Sequence, residues 1–118
     1  MDRLSFENQM VLTVVQAALG AIVPAVQAIA ISTDADRRAL TVHVAADGEF
    51  EDPDFLADLL FEIDALTGGS ITIDSEVWRG PDWTSGWPGA AKRVVYAAWR
   101  RQSGETPGAQ SRAPFERQ

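Results

Sequence analysis

The apolar positions change from helical spacing to alternation and back along the chain, marking six elements. Val11, Val14, Val15, Ala18 and Ile22 recur at helical spacing, with Gln9, Thr13 and Gln16 on the opposite side. This predicts a helix from about Phe6 to Ala18 or Leu19, capped by Ser5 and stopped by Gly20 and Pro24. Val26 to Thr33 and Arg38 to Ala46 are β-branched segments separated by Asp34, Ala35, Asp36 and Arg37, a composition that turns a hairpin. In the second of these strands Leu40, Val42, Val44 and Ala46 share one face; Thr41 and His43 lie on the other, which is expected to be wetter.

Asp52 followed by Pro53 starts a second helix, because the carboxylate caps free amides and proline is preorganised for the first turn. Leu56, Leu59, Leu60, Ile63 and Leu66 form its expected buried stripe, and Gly68 and Gly69 permit the left-handed backbone that ends it. Ser70 to Trp78 alternates, with Ile71, Ile73 and Val77 on one face and Thr72, Asp74 and Glu76 on the other. Gly80, Pro81, Gly86, Pro88 and Gly89 make Arg79 to Ala91 a long loop. Lys92 to Arg101 fits either a helical stripe or a strand, and Val94, Val95 and Tyr96 favour the strand. The expected fold is α+β: two helices packed on one face of a four-stranded, mostly antiparallel sheet, in the order α-β-β-α-β-β. That order is a circular permutation of the ferredoxin-like arrangement. Residues 1–102 form one domain, and the Gly, Pro, Ser and Arg of 103–118 read as a flexible tail.

The net charge is −7, and all of the excess lies in the domain: residues 1–102 hold fifteen acids and eight bases, residues 103–118 two of each. Phosphate backbones would repel such a protein, so direct nucleic-acid binding is not expected. No apolar run spans a membrane, and Met1 to Glu7 lacks the features of a secretory signal, so a cytoplasmic location is expected. The absence of cysteine excludes disulfides, thiolate nucleophiles and Cys-based zinc sites.

The excess acid is concentrated. Asp47, Glu49, Glu51, Asp52, Asp54, Asp58, Glu62 and Asp64 follow one another without a Lys or Arg between them. Asp54, Asp58 and Glu62 are four apart and line one helix face, where like charges cost about 0.2–0.5 kcal/mol per pair. A solvated face that keeps the protein soluble explains this; so does a surface that steers a basic protein partner. These acids lack the spacing of a calcium loop, and one histidine does not make a His-rich metal site, so no metal or cofactor is expected. Trp78, Trp83 and Trp87 lie close together, and Trp is a frequent binding anchor. Trp78 and Trp87 equally suit a satellite core over the sheet edge, which leaves Trp83 as the more exposed. No serine sits in a nucleophile elbow; an enzyme or sugar-binding module would have to use the outer sheet face around His43, Thr72, Asp74 and Glu76.

Gln16 to Ala25 (QAALGAIVPA), the Asp47-Gly48-Glu49 run before the acidic helix, and Val94 to Arg101 (VVYAAWRR) together resemble a group of small acidic bacterial proteins with the same element order. These look like the immunity proteins made against polymorphic or contact-dependent toxins. The resemblance covers about residues 10 to 101; the Trp-bearing loop and the tail depart from the family's pattern. It implies a protective binding protein, not an enzyme; the acidic surface adds the expectation that the partner is a basic toxin domain, such as a nuclease. The expected partner-binding residues are Asp47, Glu49, Glu51, Asp54, Asp58, Glu62, Trp83 and Trp87, on a monomer or weak homodimer. The alternatives are a small-ligand or carbohydrate-binding module, or a small enzyme, on the outer sheet face, and an adaptor that self-associates through the Trp loop.

Overall fold

The computed structural model describes residues 2–19, 24–47 and 53–98. Helix α1 (Arg3–Ala18) is capped by Asp2, not Ser5: the Asp2 backbone is extended and its carboxylate accepts the Ser5 amide at 2.7 Å. That amide holds the Asp2 carboxyl below the ordinary carboxylate range. Phe6, Met10, Val14, Ala17 and Ala18 are the buried positions. The core stripe is therefore rotated from the expected one, because Phe6 and Met10 enter the core ahead of Val11 and Val15, and Val15 is exposed. Ile22 lies outside the described residues, as do Gly20 and the Asp52 cap.

Helix α2 (Pro53–Thr67) starts at Pro53 as expected and ends at Gly68 and Gly69, whose φ values are 65° and 72°. Phe55, Leu59 and Ile63 carry its burial, and Leu56 and Leu60 pack beside them. Leu66 is exposed, and Phe55 takes the place expected of it in the stripe.

The strands are β1 (Val26–Asp34), β2 (Ala39–Ala46), β3 (Thr72–Arg79) and β4 (Arg93–Ala97), in the spatial order β3-β2-β1-β4. The hairpin runs from Asp34↔Ala39 to Val26↔Ala46, with a register shift between Val26 and Ala28. β4 joins β1 antiparallel, so the ambiguous segment is a strand over 93–97. β3 joins β2 in parallel, with Ala39↔Thr72 at one end and Ala46↔Arg79 at the other. A parallel neighbour needs a crossover, which α2 supplies. The described residues thus form two helices and a four-stranded mixed sheet in the expected element order, with one parallel and two antiparallel pairings rather than a mostly antiparallel sheet. The ferredoxin-like permutation is not adopted: it would put β4 between β3 and β2, whereas β4 lies at the edge beside β1.

Strand alternation divides the core in two. Ile29, Ile31, Leu40, Val42, Val44 and Ala46 meet α1 and α2 on one face. On the other, Ala28, Ala30 and Ala45 leave room for an indole, and Trp87 fills it, with Trp78, Trp83 and Val94 packed around. Trp83 and Trp87 meet edge to face at 5.7 Å between centroids. Gln27 pins the loop to β1 with both ends of its amide: its nitrogen donates to the Gly80 carbonyl and its oxygen accepts the Trp83 amide, each at 2.8 Å. The loop closes with a short 3-10 turn, Pro88–Ala91, within the stretch expected to be irregular. Arg93 ties β4 to α1 through Glu7 at 2.7 Å. Among the described residues no helix is long and apolar enough to cross a membrane.

Gly89 packs so closely under the Trp87 indole that a β-carbon there would overlap the ring. Gly89→Ala is therefore expected to destabilise the fold by about 1–3 kcal/mol through overpacking. The test is chemical denaturation, together with loss of the near-ultraviolet Trp dichroism. An unchanged midpoint would mean that the loop is not packed as described.

Candidate functional site

Among the described residues, the expected site residues fall on two surfaces on opposite sides of the sheet. The first is the outward side of α2. Phe55, Leu59 and Ile63 turn one side of the helix into the core, so Asp54, Asp58, Glu62 and Asp64 point to solvent. Asp54, in the first turn, gains from the helix dipole, whereas Asp58 and Glu62 lie too far along to share that benefit. In the middle of this face stands Phe61, 72% exposed. Asp58 and Asp64 are three residues before and after it; Ala57 and Ala65, four before and after, leave the ring unscreened. An exposed benzyl group amid carboxylates, on a helix that has no basic residue, is not required by the fold.

The second surface is the outer face of the sheet. His43 is 6% exposed, so this face is drier than its Thr41 and His43 suggest. The parallel register sets Glu76 directly opposite His43 on β3, and the hairpin register brings Ser32 of β1 one step along on the other side. Ser32 Oγ lies 2.9 Å from His43 Nε2, and His43 Nδ1 lies 2.9 Å from Glu76 Oε1. Both ring nitrogens of a buried imidazole are thereby satisfied; leaving one without a partner would cost about 1–3 kcal/mol. The Glu76 side chain is 67% exposed. Beside it is a cleft of about 220 Å³ lined by Glu76, Val77, Trp78, Trp87, Pro88 and Gly89. Among the described residues no three His, Asp or Glu side chains converge to hold a metal ion.

The expected site residues do not form one surface. Asp54, Asp58 and Glu62 stand on α2, on the helical side of the sheet, while Trp83 and Trp87 belong to the core on the opposite side. Trp87 is 4% exposed, which corrects its assignment as a partner anchor: its indole is committed to Ala28, Ala30 and Ala45. Trp83 is partly buried against the same core. Asp47 follows β2, with its amide donating to the Ala25 carbonyl. Glu49 and Glu51 lie outside the described residues. Of the three outer-face residues grouped with His43, the structure brings Glu76 to it; Thr72 and Asp74 face Ala39 and Thr41 instead.

Sequence reasoning passed over Phe61 and Ser32, although both left a signal. Phe61 is two residues from both Leu59 and Ile63, which puts it on the far side of the helix from them. The hairpin turn fixes strand parity, so Ser32 and His43 share a face as soon as the turn is placed. No model of a known protein family matches this chain, and no curated protein does either.

Proposed function

We propose that the protein binds and neutralises a basic protein partner, in the manner of the toxin-immunity proteins its sequence resembles. The outward face of α2 is the contact surface. Asp54, Asp58 and Glu62 steer the partner and pair with its Lys and Arg, and Phe61, rather than a tryptophan, supplies the apolar anchor. The observation that carries the reading is the placement of Phe61, 72% exposed at the centre of a face that repels its own helix. A solvated face made only for solubility has no use for that ring. An aromatic group surrounded by charges that steer the approach is the arrangement of a binding hot spot.

The test begins with the purified protein as bait in lysate of its native host, beside a folded Asp54→Lys, Asp58→Lys, Glu62→Lys variant. The expected result is a basic protein retained by the wild type alone, whose toxicity is relieved by co-expression of the wild type. Its association rate should fall by about tenfold or more between low and high salt, since exposed charges are screened within roughly 8 Å at physiological ionic strength. A rate that ignores salt, or equal retention by the variant, would remove the acidic helix from the interface.

A further inference from the structure

The Ser32, His43 and Glu76 side chains form a relay that the binding reading does not use. We infer that Ser32 is a nucleophilic serine, with His43 as its general base and Glu76 holding the imidazole, that accepts an acyl or phosphonyl group from an activated electrophile. The order of atoms carries the inference. With Glu76 as a carboxylate, which only accepts, Nδ1 must hold the ring proton and donate it across the 2.9 Å contact. That leaves Nε2 with its lone pair directed at Ser32 Oγ, also at 2.9 Å, so the hydroxyl donates its proton to the ring. Carboxylate on Nδ1 and serine on Nε2 is the sequence of roles in a serine nucleophile's relay, which is recognised by geometry and not by chain position.

The surroundings suit this chemistry. The Ala28, Ala30 and Ala45 part of the outer face is covered by Trp87, but toward Ser32 the face opens: Ser32 and Thr41 are partly exposed, and Asp74 and Thr72 exposed. An electrophile from solvent meets Ser32 without displacing the Trp loop, while the imidazole that takes the proton stays buried. Ser32 lies within a strand and not on the sharp strand-to-helix turn that offers adjacent amides to an oxyanion. Missing donors of that kind cost on the order of 10²–10³ in rate, so the expected reactivity is single modification by electrophiles with good leaving groups, not rapid turnover. A purely structural relay, serving only to satisfy a buried imidazole, accounts for the same hydrogen bonds but gives Ser32 no more reactivity than any other serine.

The probe is an alkyl fluorophosphonate applied to the full chain, read by intact mass and peptide mapping. Ser32 Oγ attacks phosphorus, the O–P bond forms as P–F breaks, fluoride leaves with the bonding pair, and the hydroxyl proton passes to His43 Nε2. One adduct per chain on Ser32 is expected. Ser32→Ala should give none, His43→Ala should slow labelling on the order of 10²-fold, and Glu76→Gln should slow it about tenfold or more. Should His43→Ala fail to fold, Glu76→Gln still decides, because that side chain is mostly exposed. No adduct, equal labelling of Ser5, Ser70 or Ser85, or a rate unchanged in Glu76→Gln would each overturn the assignment. The result is independent of the partner reading, since α2 lies on the other side of the sheet.

Discussion

Trp87→Ala is expected to cost about 3–5 kcal/mol of folding stability, the range for truncating a large buried aromatic side chain. Against the 5–15 kcal/mol of a typical domain, that is enough to bring the protein close to unfolding at ambient temperature. The reason is local. Among the described residues Trp87 is the large apolar side chain buried with the alanines of the outer face, and without it Ala28, Ala30 and Ala45 keep only the partly buried Trp78, Trp83 and Val94 beside them. With a urea m-value of about 1–3 kcal/mol/M, the midpoint should drop by roughly 2 M. A drop below about 0.5 M would mean that the indole is not the centre of a second core.

The contrasting substitution is Phe61→Ala. It removes an exposed ring, so stability should move by no more than about 0.5 kcal/mol. Binding should suffer instead: the complex with the partner retained by the wild type is expected to lose about 2 kcal/mol or more, roughly a 30-fold rise in Kd. Calorimetric titration of the two proteins measures it directly. A Kd within about threefold of the wild type would show that α2 contributes charge without an anchor. The pair of variants tests the two aromatic positions separately: Trp87 for holding the fold together, and Phe61 for anchoring the proposed partner.

How much of this was legible depends on the range of the interaction involved. The helices, the hairpin and the Gly68–Gly69 stop follow from local rules, and the structure has them within a few residues. The α1 cap was misplaced because Ser5 and Asp2 both satisfy the local pattern, and only backbone geometry chooses between them. The stripe of α1 was rotated because Phe6 and Met10 stand at its start, where the apolar period is hard to phase. Strand partners are another matter. Whether β3 joins β2 in parallel or in antiparallel fashion depends on how α2 crosses the sheet, and nothing within β3 itself records that choice. The Glu76–His43 contact depends on this pairing, so it was readable only as one of three options. The splitting of the acidic residues from the tryptophans is non-local in the same way. Both lie on exposed-looking segments close in sequence, and the sheet comes between them.

The edge position of β4 has a consequence for how the chain reaches this state. The hairpin closes over a short turn, but β4 must find β1 across the whole of β2, α2 and β3, a loop whose entropy of closure is about 2 kcal/mol greater. On a ribosome β1 is made long before β4, so its second edge waits unpaired while the rest of the chain emerges, and the alanines beneath Trp87 wait with it. The slow step of folding should therefore be the docking of β4 together with the Trp loop. Until it is complete, the nascent protein carries an open β1 edge available to a chaperone or to another chain.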